Sequence, residues 1–313
     1  MKTSPELLQK RWDSIKYKDG GFLQIDTQHP LEWHIGFQSI NQKTLLLVCH
    51  TEIDTVDSSK SMSVYRRKRE SDNRWTLSFE LLRSEQESVF SIFCSDIIEY
   101  SRTSFNEKEA LALVIKRYKQ WIRLLENQKN SLMDDARRKG LLGELLFLYE
   151  KLKECKDAMS ILQSWVGVEG ADQDFIFPDT WYEIKSIGVS TSSVKISSLE
   201  QLDSDPEGEL VIMRIDKTAP EKSGAISLND VVLQIKDFLL KETKALELFQ
   251  AKLDTCGYID LQEYSVQKYY FSGSHRYKVN ESFPKISKNN VPIQVISLHY
   301  ELDIPSIENW LVR

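Results

Sequence analysis

Four side chains in the second half of the chain have the types and spacing to manage a divalent cation: Glu144, Asp174, Glu183 and Lys185. Glu183 and Lys185 stand two apart in Trp181-Tyr-Glu-Ile-Lys-Ser186, within an apolar, aromatic run that reads as a strand over Trp181–Ile187. That spacing points both to one sheet face and sends Tyr182 and Ile184 to the other. Asp174 opens a second short strand, Asp174–Phe177, and Pro178-Asp179-Thr180 between the two suggests an antiparallel pair that brings Asp174 close to Glu183. Sequence does not fix that register. An E-x-K pair can also decorate any exposed strand face, but its apolar neighbours here imply partial burial. Glu144 lies in Gly140-Leu-Leu-Gly-Glu-Leu-Leu-Phe147, at the edge of the stripe formed by Leu141, Leu145, Leu148 and Leu152. A carboxylate there is costly unless something pairs with it. Gly143 beside it would let another backbone come close, and the alternative is a surface glutamate on a helix flank.

The chemistry such a set could serve is attack on a phosphodiester, whose own charge repels nucleophiles. A Mg²⁺ ion (or Mn²⁺ in its place) neutralises that charge and acidifies a bound water, and it prefers one or two carboxylates plus waters and substrate phosphate. Asp174 and Glu183 would supply the carboxylates, with the Ile184 backbone carbonyl joining them if the strand edge faces the metal. Lys185 would position the attacking water or steady the charge that develops on phosphate. Glu144 could serve a second metal or hold a metal-bound water.

These side chains need a helix and a strand pair to position them. Helical periodicity covers Asn106–Gln128, through Leu111, Val114, Ile115, Tyr118, Ile122 and Leu125, and then Ser131–Lys156. Trp165-Val-Gly-Val-Glu-Gly170 reads as a glycine-broken loop ahead of the strand pair. Leu210–Ile215 follows as a strand, Leu228–Leu240 and Ala245–Leu253 as helices, and Tyr264–Tyr277 and Pro292–Leu298 as strands. Ser198 with Gln201 three residues on resembles a capping box starting a helix. That helix start would stand beside the site, where Gln201 or a free backbone N–H could touch phosphate. Upstream, Leu31–Ile35, Thr44–His50, Ser61–Arg67, Trp75–Leu81 and Ser88–Phe93 read as strands, with Asp72-Asn73 as a hairpin turn. The expected organisation is a mainly β domain over 1–128 ending in a helix, joined by the polar Asn127–Asn130 to a mixed α/β domain over 129–313. A length of 313 residues suits two domains at about 100–200 residues each.

Composition narrows the function classes. No apolar run approaches a membrane span, and Met1–Ile15 does not read as a signal peptide, so a cytoplasmic protein is expected. Cys49, Cys94, Cys155 and Cys256 lack zinc or disulfide-framework spacing and read as reduced thiols. His29 and His34 have no third ligand at metal spacing and read as structural. The net charge of −6 works against a polyanionic partner, yet two basic stretches could offset it locally. One is Lys116, Arg117, Lys119, Arg123, Lys129, Arg137, Arg138 and Lys139. The other is Lys268, Arg276, Lys278, Lys285 and Lys288, with Glu281 as its only acid along the sequence. Solvated helix faces or loops are the alternative for both.

A helix glutamate, then an aspartate, then E-x-K on a hairpin resembles the PD-(D/E)XK nuclease superfamily. The closer likeness is to a bacterial family called "PD-(D/E)XK motif proteins". Its motifs resemble Gly140-Leu-Leu-Gly-Glu144, Trp165 through Gly170, Asp174-Phe175, Trp181-Tyr-Glu-Ile-Lys-Ser186 and Ile196-Ser-Ser-Leu-Glu-Gln-Leu202, about a quarter of the chain. The resemblance implies a restriction-endonuclease-like mixed sheet flanked by helices, with Glu144, Asp174, Glu183 and Lys185 as the catalytic positions and Mg²⁺ as cofactor. It implies a Mg-dependent deoxyribonuclease, with a restriction or phage-defence setting and DNA as partner. Such nucleases often pair subunits to cut both strands, which implies a homodimer, although no interface signal is visible; the defence setting implies partner subunits. One departure is Gln173, where the superfamily pattern places proline. The competing expectations are a catalytically silent DNA-binding or assembly subunit that keeps the nuclease fold, and a structural α/β protein whose acids coincide by chance.

Overall fold

The structure is a computed structural model that describes residues 3–16, 21–126 and 132–312. The Asn127–Asn130 linker, with Lys129 and the expected helix start at Ser131, lies outside the described residues. The chain divides into two compact units, Met1–Leu132 and Met133–Arg313. No described helix is long and apolar enough to cross a membrane.

The first unit opens with α1 (Pro5–Ser14), whose N-cap is Ser4. A five-stranded sheet follows: β1 (Phe22–Asp26), β2 (Glu32–Phe37), β3 (Lys43–Cys49), β4 (Met62–Lys68) and β5 (Trp75–Leu81), ordered β1-β2-β3-β5-β4 and antiparallel throughout. The β4–β5 turn passes through Asn73 at φ 58, a left-handed conformation that asparagine tolerates. Helices α2 (Glu87–Ser101) and α3 (Glu107–Glu126) complete the unit. The strand expected over Ser88–Phe93 is therefore the first part of α2. Ser-Val-Phe-Ser-Ile-Phe is rich in aliphatic and aromatic residues, the composition of a strand, over only six positions. Across the longer run, buried Phe90, Phe93, Cys94, Ile97 and Ile98 recur at helical spacing. His29 is structural: its Nδ1 accepts from the Leu31 N–H at 2.9 Å, and its Nε2 lies 2.8 Å from the Ile98 carbonyl. Arg117 is also taken up internally, buried on the Asp96 carboxylate at 2.6 and 2.8 Å, so it cannot contribute to a basic surface.

The second unit begins with α4 (Asp135–Glu154), capped by the Asp134 carboxylate on the Arg137 N–H, and α5 (Ala158–Ser164). A short 3-10 turn at Gly167–Glu169 then leads into β6 (Phe175–Ile176) and β7 (Trp181–Ile187). Next come β8 (Ser193–Ile196), β9 (Gly208–Thr218), β10 (Ala225–Ile226), α6 (Leu228–Leu239), α7 (Thr243–Thr255), α8 (Gln262–Val266), β11 (Lys268–Val279) and β12 (Tyr300–Asp303). The main sheet is ordered β10-β11-β9-β7-β6, with β7 and β9 parallel and the other pairs antiparallel. Its two faces are covered differently. On the face of Tyr182 and Ser186 lies α4: Phe147 packs on Tyr182 with ring centroids 4.9 Å apart. A Cβ built on Gly143 would stand 2.0 Å from the Ser186 hydroxyl, so only glycine admits that approach of helix to strand. On the other face Trp181, Leu210 and Ile212 join Val194 and Ile196 of β8 and Leu302 beyond them in one apolar cluster. The β8–β12 ribbon thus covers the side of β7 that carries Glu183 and Lys185.

Three expectations for this unit are corrected. No helix begins at Ser198; residues 199–202 form a bend and turn between β8 and β9. The strand expected over Pro292–Leu298 is irregular, and pairing begins at Tyr300. Tyr264 belongs to α8, so the strand expected from it starts at Lys268.

Candidate active site

The β6–β7 hairpin sets the geometry. Phe175 pairs with Tyr182 and Ile176 with Trp181, and the turn closes with the Phe177 N–H on the Thr180 carbonyl at 2.8 Å. Asp174, one residue before the pairing starts, stands at the level of Glu183. It does not continue the ladder. Its Oδ2 instead accepts the Ile184 N–H at 2.8 Å, while its carbonyl accepts the N–H groups of Val166 and Gly167, each at 3.0 Å.

Glu183 is 2% exposed. Its Oε1 lies 2.8 Å from the Lys185 ammonium, whereas its Oε2 is buried with no hydrogen-bond partner. Lys185 also donates to Gln201 Oε1 at 3.1 Å, and the Ser197 N–H donates to that same oxygen at 2.8 Å. Gln201 therefore belongs to the site, but as the tether of the lysine rather than through a helix start. Ser198 sits in the same turn and makes no contact with the three acids or the lysine among the bonds of the described residues. Glu144 is half-buried on α4, with its Oε2 accepting the Trp165 indole N–H at 2.8 Å.

Electrostatics bind these groups into one system. Burial, opposed by the Ile184 N–H and by Lys185, raises the Asp174 carboxyl to about 6. Burial together with the Asp174 charge raises Glu183 to about 8, against the pull of Lys185. Glu144 is pushed well above the ordinary glutamate range by burial and then by Asp174, with the Trp165 N–H opposing. Buried carboxyl groups, two of them raised further by the Asp174 charge, form a site prepared for positive charge.

The residues present fit a divalent cation. Glu183 Oε2 is a desolvated acceptor with nothing to accept, which is costly unless a charge or donor arrives. Two carboxylates with a backbone carbonyl are hard oxygen donors of the kind Mg²⁺ takes, with water completing the shell. Among the described residues no three His, Cys, Asp or Glu side chains are grouped to hold a metal by themselves.

Two contributors, Gln173 and Lys252, carry no chemical signal of their own in the sequence. Gln173 is 4% exposed and donates its amide to the Glu200 carbonyl at 2.6 Å, tying the Asp174 strand to the Gln201 turn from the position where the superfamily pattern places proline. Lys252 likewise reaches the segment behind Asp174 only through tertiary packing, donating to the Trp165 carbonyl and to Glu169. Conversely, the second basic stretch is not a free cationic surface. Lys268 pairs with Asp230, Arg276 with Glu209, Lys278 with Glu207, Lys285 with Asp203 and Lys288 with Glu200.

Comparison with curated proteins and with solved structures returned no match. The family comparison did. Residues 8–305 match the family described as "Putative PD-(D/E)XK family member, (DUF4420)". That span takes in the mixed sheet and the helix-borne glutamate, the aspartate and the Glu-x-Lys strand in the order expected of a restriction-endonuclease-like fold, and the chain belongs to this PD-(D/E)XK family.

Proposed function

We propose that the chain is a metal-dependent endonuclease that hydrolyses DNA phosphodiester bonds in the cytoplasm, in a bacterial restriction or phage-defence system. The observation that carries this reading is the state of Glu183: one oxygen holds the Lys185 ammonium and the other is buried, unpartnered and level with Asp174. A bound Mg²⁺ or Mn²⁺ would neutralise the phosphate charge and lower the pKa of a water.

Asp174, Glu183 and the Ile184 carbonyl would hold that ion. In a strand the N–H and C=O of one residue leave on the same edge; the Ile184 N–H meets Asp174, so its carbonyl leaves on the Asp174 side. Lys185 has three donors. Glu183 and Gln201 engage two of them, leaving one to steady charge developing on the phosphate or to orient the attacking water. Glu144 keeps one oxygen on the indole, and its other oxygen could serve a metal ion directly or hold a metal-bound water. Cutting both strands would require a second copy of the chain or a partner subunit.

The neutralised basic side chains favour one other reading, a silent subunit that retains the fold and leaves cutting to a partner. Plasmid DNA with Mg²⁺ or Mn²⁺, tested beside Lys185→Ala and Asp174→Ala, separates the two. Nicking or linearisation by the wild type that each variant reduces by at least about 10²–10³-fold supports the nuclease. DNA retention without cutting supports the silent subunit. Cutting that survives both substitutions overturns the assignment of these residues.

A further inference from the structure

The Trp165-Val-Gly-Val-Glu-Gly170 segment takes no part in the chemistry proposed above, yet it touches both Glu144 and Asp174. Trp165 is fully buried, and its indole ring stacks on Phe175 at 6.4 Å with an interplanar angle of 16° and packs on Phe249 at 6.3 Å. Held on both sides, the ring directs its one N–H to Glu144 Oε2. The next two residues hold the other acid from behind: the N–H groups of Val166 and Gly167 both donate to the Asp174 carbonyl. A Cβ at Gly167 would stand 2.7 Å from Asp174 Oδ1 and 2.8 Å from its Cα, so the segment presses against Asp174 where no side chain fits.

Lys252 of α7 anchors the arrangement. Its side chain is 4% exposed, and its ammonium donates to the Trp165 carbonyl at 2.5 Å and pairs with Glu169 at 2.7 Å. A buried ammonium is tolerated only when its donors are engaged. Both of these partners lie in the same six-residue segment.

We infer that Trp165 and Gly167, anchored by Lys252, are positioning residues that fix Glu144 and Asp174 relative to one another, so that one rigid segment sets the separation of two acids carried on different elements. This rests on the reading of those acids as a divalent-metal site. Groups that orient metal ligands from behind typically contribute 10–100-fold in metal affinity.

The test is Mn²⁺ titration calorimetry on the full chain without DNA. Trp165→Phe keeps the aromatic packing and removes the N–H. It should weaken Mn²⁺ binding by about 10–100-fold with the circular dichroism spectrum unchanged. In a Glu144→Ala background the same substitution should add less than about two-fold, because its effect passes through Glu144. Gly167→Ala provides the second arm: it should weaken Mn²⁺ binding whether or not Glu144 is present, and lose its effect in an Asp174→Ala background. If Trp165→Phe binds Mn²⁺ like the wild type, or if its penalty persists in full without Glu144, the positioning role is overturned while the metal-site reading stands. If the wild type itself binds no Mn²⁺, both are overturned.

Discussion

The two oxygens of Glu183 have different surroundings, one on an ammonium and one buried without a hydrogen-bond partner, and the consequence is measurable as pH-dependent stability. An unfolded aspartate or glutamate titrates near 4, whereas the folded values for Asp174 and Glu183 are about 6 and about 8. The folded protein therefore binds these protons more tightly than the unfolded chain. The resulting stabilisation is present at pH 4 and below and is lost as pH rises towards 8, at up to about 1.4 kcal/mol per pH unit for each group. With chelator present, the melting temperature should fall between pH 5 and pH 8, and Glu183→Gln should flatten that fall and melt above wild type at pH 8. Adding Mn²⁺ should raise the wild-type melting temperature more at pH 8 than at pH 5 and leave Glu183→Gln nearly unmoved. Scanning fluorimetry reads all of these outcomes. At this scale the sequence was informative about identities: Glu183 and Lys185 two apart on a strand must share a face, and Asp174 falls level with them through a short turn. It named Gln201 and the Trp165 segment without assigning either as a tether, because those two, like Gln173, act on the site only through tertiary approach.

Elements here are set by close approach as much as by periodicity. Helix α4 lies on β7 because Gly143 meets Ser186, whose hydroxyl is itself buried and unpartnered. Gly143→Ala should cost about 1–3 kcal/mol through overpacking. Ser186→Ala should be neutral or slightly stabilising, because it removes an unsatisfied hydroxyl. The double variant should recover much of the Gly143→Ala loss, since the hydroxyl rather than the Ser186 Cβ, at 3.4 Å, is the clash. Chemical denaturation of the four proteins closes this cycle. Long segments were legible because apolar residues recur at helical spacing over several turns, as Leu111, Val114, Ile115 and Tyr118 do in α3 and Leu141, Leu145, Leu148 and Leu152 do in α4. Short ones were not: Ser88–Phe93 is too brief to show the helical recurrence of the whole of α2, and Ser198 with Gln201 has the spacing of a cap while Gln201 turns to a lysine instead.

Charge is the molecule-wide property that bears on a polyanionic partner. The chain carries a net −6, and the basic residues from Lys268 to Lys288 are each matched by an acid. Sequence showed the clustering of these cations but not their partners, which lie tens of residues upstream. Replacing Glu200 by Gln and Asp203 by Asn releases Lys288 and Lys285 while keeping hydrogen-bonding groups in place. DNA binding should then tighten at low salt, and the slope of log affinity against log salt should steepen by up to about 0.9 per released lysine that meets a phosphate. Fluorescence anisotropy across a salt series measures both. The β8–β12 ribbon also imposes an order on biosynthesis. Ser193 and its partner Glu301 are 108 positions apart, so the strand leading into the Gln201 turn has no mate until translation has passed well beyond every acid of the site. A polypeptide still emerging from the ribosome thus holds the three acids and the lysine without the scaffold that aligns the amine, and the cluster takes shape only after residues 300–303 have been made.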